Sequence, residues 1–140
     1  MTTIAIGPTS VAFDEQLTIN DDLILNGFKD KVRLRKNEIF CIAGVPIMDD
    51  LIEWWDTGCE PTEAPVAEWD LMVWDGHVWT SYSHERPYAV RLPLPYAMGT
   101  GSHYAMAALH LGYTPERAVR LAAELDPYTG DKVETFDYGD

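Results

Sequence analysis

The unbroken apolar run Ile39-Phe40-Cys41-Ile42-Ala43 restricts the fold of this chain more than any other feature. A strand with one face in water alternates apolar and polar residues, whereas a continuously apolar strand has to be covered on both faces. The sheet containing this run is therefore expected to be sandwiched between other layers. Just before it, Lys31 to Lys36 alternates Val32 and Leu34 with Lys31, Arg33 and Arg35, the pattern of a half-buried strand.

The flanking segments supply the covering layers. Thr2 to Ile6, the turn Gly7-Pro8-Thr9-Ser10 and Val11-Ala12-Phe13 read as an opening hairpin. The stretch from Asp14 to Asp22 reads as polar, and Leu23-Ile24-Leu25 leads into the turn signal Asn26-Gly27. Pro46 can open a helix that carries Ile47, Met48, Leu51, Ile52, Trp54 and Trp55 at helical spacing and stops at Gly58. Cys59 to Ala67 is an irregular connection, Asp70 to Ser83 a hairpin turning at Asp75-Gly76, and Val90 to Ala97 a proline-punctuated extended segment.

Ser102 to Leu111 reads as a helix with Ser102 as its N-cap and Gly112 as its stop. A second follows at once, with Thr114 as cap, Pro115 at the first position and an apolar face of Ala118, Val119, Leu121, Ala122 and Leu125. It ends near Asp126-Pro127, and a closing strand runs around Lys132 to Tyr138. The order is strands, a helix, strands, two helices, a strand, which is an α+β chain with helices available for both sides of stacked sheets.

At 140 residues, 46% hydrophobic and 24% charged, the chain reads as one globular domain spanning 1–140 that needs no staple. No apolar run reaches the roughly 18 to 20 residues that span a bilayer, and MTTIAIGPTS lacks a basic and then apolar leader, so no membrane partner and a cytoplasmic location are expected. A net charge of −13 argues against nucleic acid as a ligand, since a phosphate backbone is bound by clustered Lys and Arg. Cys41 and Cys59 are expected to be free thiols. His77, His84, His103 and His110 lack the spacing of a zinc motif, and neither a metal nor another cofactor is expected. Trp54, Trp55, Trp69, Trp74 and Trp79 are assigned to packing ahead of a binding surface.

One position carries chemistry by its place in the chain. Thr2 follows the initiator Met1, and removal of Met1 would leave a hydroxyl and a free α-amine on a single residue. Such an amine, with an ordinary pKa of about 7.7–8.0, can exchange a proton near neutrality and so activate its own nucleophile.

Thr2 is followed along the chain by Phe13-Asp14, Lys29-Asp30-Lys31-Val32-Arg33, Ile42-Ala43-Gly44 and Ala97-Met98-Gly99-Thr100-Gly101-Ser102-His103-Tyr104-Ala105. In this order and together, these segments resemble the landmarks of proteasome β-subunits and HslV-type N-terminal-nucleophile hydrolases. The resemblance implies a four-layer αββα sandwich. It also implies a threonine endopeptidase that cleaves peptide bonds of unfolded polypeptide inside a self-assembled homo-oligomeric ring.

Residue by residue, the resemblance makes Thr2 the nucleophile and Asp14 the acidic residue ending the second strand. Lys31 matches the family's lysine, in preference to Lys29 because an apolar strand residue follows it directly. Gly44 matches the oxyanion-hole glycine, Thr18 the residue that binds substrate backbone, and Thr100, Asp126 and Thr129 the hydroxyl and carboxylate set that positions the amine. Family members are longer and carry two helices after the strand that ends in Ala-Gly. Here one outer helix is missing, its place taken by Cys59 to Ala67. That layer makes contacts between subunits and toward a partner ATPase, so its reduction counts against the ATP-dependent unfoldase that the resemblance would otherwise supply. A second reading keeps the fold without catalysis. In it Met1 is retained, and the chain binds a protein partner through its acidic or Trp-rich surface, as a product of a mobile element or virus would.

Overall fold

A computed structural model describes residues 3–19, 23–25, 31–44, 48–130 and 132–138, with backbone alone described over 17–19 and 23–25. In chain order the first strands are β1 Thr3–Ile6, β2 Ser10–Asp14, β3 Leu17–Ile19, β4 Leu23–Leu25, β5 Val32–Arg35 and β6 Glu38–Gly44. Helix α1 Met48–Asp56 and a 3-10 turn Pro61–Glu63 follow, and then β7 Trp69–Trp74, β8 Trp79–Ser83, β9 Val90–Arg91 and β10 Tyr96–Gly99. The chain closes with α2 Ser102–His110, α3 Pro115–Leu125 and β11 Val133–Asp137. It divides into two compact units, Met1–Lys29 with Pro93–Asp140, and Asp30–Leu92.

The first unit is an antiparallel sheet in the order β10-β1-β2-β11. The β1–β2 hairpin closes through the Gly7 N–H, which donates to the Ser10 carbonyl at 2.9 Å. Every residue of β1 is buried, so this strand is covered on both faces. Helices α2 and α3 lie on the face that carries Ala5, Ala12 and Ala97, meeting it with Ala105, Ala108, Ala118, Val119 and Ala122. Small residues on both sides let helix backbones come close to the sheet.

Thr114 caps α3 as its sequence announces, its hydroxyl accepting from the Arg117 N–H at 3.3 Å. Two details of these helices differ from expectation. The N-cap of α2 is Gly101, with Ser102 as the first helical residue and no side-chain cap bond. A Cβ at Gly101 would overlap the Thr3 Oγ1 and sit 2.9 Å from the Thr129 Oγ1, so packing dictates the residue at this cap. Leu125, placed on the apolar face of α3 by its spacing, is exposed: it is the last helical residue, and the chain turns away at Asp126.

The stretch read as polar contains a strand. β3 pairs antiparallel with β4, Thr18 opposite Ile24. Its alternation spans only the three residues Leu17-Thr18-Ile19, too short to register as a period.

The second unit is an antiparallel sheet in the order β5-β6-β7-β8-β9. Ile39 to Ala43 are all buried, as the apolar run requires. Phe40 and Ile42 from β6 join Leu71, Val73 and Tyr82 against Met48, Leu51, Ile52 and Trp54 of α1. Trp54, Trp55 and Trp69 belong to this packing, and two of their indole edges are bonded: Trp54 Nε1 donates to the Glu60 carbonyl at 2.8 Å and Trp69 Nε1 to that of Pro65 at 2.9 Å.

The basic residues of β5 lie on the α1 side and tie the helix down, while Leu34 between them is half exposed. Arg33 pairs with Asp49, and Arg35 reaches Asp56 through two nitrogens at 2.7 and 2.6 Å while lying over the Phe40 ring. Pro46 and the Asn26-Gly27 turn lie outside the described residues. Among the described residues of this unit α1 is the one α-helix, and the 3-10 turn stands where a second would follow.

Val90 to Ala97 is not one extended segment. β9 pairs with β8 in the second unit, and β10 pairs with β1 in the first, so the proline-rich stretch between them carries the chain from one sheet to the other. Cys41 and Cys59 are both free, and burial pushes the Cys41 thiol well above its ordinary range. Among the described residues no helix is long and apolar enough to cross a membrane.

Leu51 has no exposed surface and sits at the centre of the α1 contact. Leu51→Ala is expected to lower the unfolding free energy by about 2–5 kcal/mol in urea titrations followed by far-UV circular dichroism. A loss below about 1 kcal/mol would mean that α1 contributes little to this unit.

Candidate active site

The first unit brings four separate pieces of chain together around two carboxylates. Asp14 ends β2 with no exposed surface, and its oxygens are taken up by backbone donors. Oδ1 accepts the Thr3 N–H at 2.8 Å, and Oδ2 accepts Gly130 at 2.9 Å and Gln16 at 3.3 Å. The residue immediately after Thr2 is therefore anchored by its own peptide nitrogen.

Asp126 is the second carboxylate. It caps the end of α3, and its Oδ1 accepts from the Tyr128 N–H at 3.2 Å, the local turn that the sequence Asp126-Pro127-Tyr128-Thr129 favours. Its Oδ2 accepts two hydroxyls, Thr100 and Thr129, each at 2.7 Å. Thr129 Oγ1 also lies 2.7 Å from Thr3 Oγ1. Burial alone would push the Asp126 carboxyl up. The hydroxyls of Thr129 and Thr100, with the Tyr128 N–H, outweigh it and hold the group below its ordinary value.

Local backbone makes this convergence possible. Gly99 ends β10 at a φ of 98°, a conformation that side chains resist, and delivers Thr100 to the carboxylate before α2 begins. Gly101, bare of a Cβ, leaves the space in which the Thr3 and Thr129 hydroxyls meet.

Asp14, Thr100, Asp126 and Thr129, all named from sequence, thus belong to one hydrogen-bonded set. Lys31 and Gly44 lie in the other unit. Lys31 is 3% exposed, and its carbonyl accepts the Ile42 N–H at 2.8 Å, so it is no surface lysine. Gly44 ends β6 opposite Trp69 at a φ of 108°, and a Cβ there would overlap the Glu68 carbonyl, so this position accepts glycine alone. Thr2 and Lys29 lie outside the described residues, as does the side chain of Thr18, whose backbone pairs within β3. Of the histidines, His103 and His110 are exposed on α2, and among the described residues no group could hold a metal ion.

Sequence reading passed over Thr3, Gly101 and Gly130. Thr3 offered one signal, a second hydroxyl directly after Thr2. Gly101 lies within the quoted segment Ala97 to Ala105, beside the Thr100 that the resemblance singles out.

No family model matches this chain, and no curated protein matches it. Solved structures do. Eukaryotic HslV from Trypanosoma brucei superposes with a TM-score of 0.71 over 97% of this chain and 97% of its own, at 15% identity. BPH of Thiobacillus denitrificans superposes with a TM-score of 0.73 in its complex with epoxomicin, over 97% and 96% of the two chains at 16% identity. In another structure of BPH the TM-score is 0.69 at 15% identity. The chain therefore has the α+β fold of HslV and proteasome-type N-terminal-nucleophile proteins.

Because the folded-state pKa of Asp126 is depressed, its contribution to stability is complete above the ordinary value near 3.9 and lost as pH falls through the lower folded value. Asp126→Asn is expected to cost about 1.5–3 kcal/mol at about pH 7, with the gap to wild type closing below about pH 4 in urea titrations. A gap that stays constant down to about pH 2 would assign the residue's contribution to shape and not to charge.

Proposed function

We propose that this chain is a threonine-type endopeptidase, Thr2 being its nucleophile once Met1 is removed, that cleaves unfolded polypeptide within a ring of its own copies. The observation that carries the reading is the Thr3–Thr129–Asp126–Thr100 hydrogen-bonded set, built at the very start of β1, one peptide bond from Thr2. A carboxylate and oriented hydroxyls in that place suit a free α-amine that takes and returns a proton. The fold adds to it, because the proteins that share it include HslV.

In the proposed reaction the Thr2 hydroxyl attacks the peptide carbonyl, its proton passing to the α-amine. The leaving amine of the substrate then takes that proton, and water hydrolyses the acyl-enzyme. The Lys31 ammonium lowers the cost of ionising the hydroxyl. The Gly44 N–H donates to the oxyanion, a kind of contact worth about 3–4 kcal/mol elsewhere. Thr18 binds substrate backbone. Asp14 sets the direction of the N-terminus through the Thr3 N–H. Thr100, Asp126 and Thr129 position the amine. The site would take the same class of electrophile as the epoxomicin seen on BPH.

Intact mass of the protein from its native host is expected to lack Met1, and hydrolysis of a fluorogenic peptide by that protein to fall at least about a thousandfold in Thr2→Ala. Full retention of Met1, or equal hydrolysis by both proteins, would exclude the peptidase. It would leave the silent, partner-binding form of the fold.

A further inference from the structure

The protons of the hydroxyl cluster can be counted. Asp126 is ionised at neutral pH, so its Oδ2 accepts and the hydroxyls of Thr100 and Thr129 both donate to it. A hydroxyl has one proton. That of Thr129 is spent on Asp126, so in the 2.7 Å contact between Thr129 and Thr3 the donor is Thr3. Every hydroxyl proton of the cluster then points along a path to Asp126, and Thr100 and Thr129 can meet any further partner only as acceptors. Thr129 Oγ1, tethered at 2.7 Å on two sides, is also fixed in place.

An acceptor-only surface next to the chain start favours an ammonium over an amine. We infer that Thr3 is a positioning residue: by donating its hydroxyl to Thr129 it fixes that oxygen, and the direction of its remaining lone pair, as an acceptor for the Thr2 α-ammonium. The inference rests on the reading of Thr2 as nucleophile, but it concerns a residue that reading does not use. Thr3 has no exposed surface and touches no substrate in this role. Gly101 is its counterpart, since a Cβ there would occupy the space of the Thr3 hydroxyl. Among the described residues of this unit, the ionisable groups hydrogen-bonded to the cluster in the bonds above are Asp14 from β2 and Asp126 from the end of α3, while α2 contributes His103 and Tyr104, both exposed.

The test is a titration of the Thr2 α-amine, read from threonine ¹³C shifts against pH in protein cut from a fusion directly before Thr2. Host processing then plays no part. Thr3→Val, which keeps shape and loses the donor, is expected to lower the amine pKa by about half a unit or more, because Thr129 Oγ1 is no longer held in the orientation that presents its lone pair to the ammonium. The acidic limb of kcat/KM for peptide hydrolysis should move to lower pH by the same amount, and Thr3→Ser should restore both. Should Thr3→Val not fold, Thr3→Ala carries the same comparison. An amine pKa equal in wild type and the donor-less variant overturns the inference, even if activity falls, because a purely structural role lowers activity without moving the titration. Since the titration needs no turnover, an inactive wild type would sink the peptidase reading and still decide the role of Thr3.

Discussion

The Asp14 carboxylate holds the first unit together at the end that carries the candidate site. It is buried, it ends β2, and it accepts backbone N–H groups from Thr3, Gln16 and Gly130. Those donors belong to the start of β1, the chain just beyond β2 and the turn that leaves α3. Hydrogen bonds to a buried charge are stronger than neutral ones, and leaving such a charge unpaired is costly, so the three segments are held in register. The proximity of Thr3 to Thr129, 126 positions apart in sequence, follows from this arrangement.

Around that anchor the sequence makes a sequence of compatible choices. Glycines at 99 and 101 deliver Thr100 to Asp126 and clear room for the Thr3 hydroxyl. The alanine stripes of α2 and α3 let both helices press against β1, which is why the loops at their ends, carrying Thr100 and Asp126 to Gly130, reach the strand's first residue. In the other unit the stability resides in aromatic packing of α1 against its sheet, and the residues proposed for chemistry sit at the ends of that framework: Lys31 before β5 and Gly44 closing β6.

Much of this was legible in the residues themselves. The apolar run 39–43 announced a strand covered on both faces, and Thr114-Pro115 announced the start of α3, because both signals are local and have one dominant physical cause. Thr100, Asp126, Thr129 and Asp14 were legible through the order of motifs, and the geometry joins all four. What escaped depends on distant partners. Gly101 caps α2 because of what Thr3 and Thr129 occupy, the proline-rich stretch divides between two sheets because its ends find different strands, and β3 is too brief to show a period. Thr3 escaped because its role lies in a hydroxyl pairing that no spacing encodes.

The central claim is that one residue at the start of this chain offers a nucleophilic hydroxyl and a free amine together. A peptide epoxyketone tests it directly, since it forms a stable ring only by reacting with both groups on the same residue. Incubation of the processed protein with such a reagent, followed by peptide mapping in the mass spectrometer, is predicted to place the whole reagent mass on Thr2 and to find none on Thr2→Ala. Unmodified Thr2, or the same adduct on another residue, would contradict it.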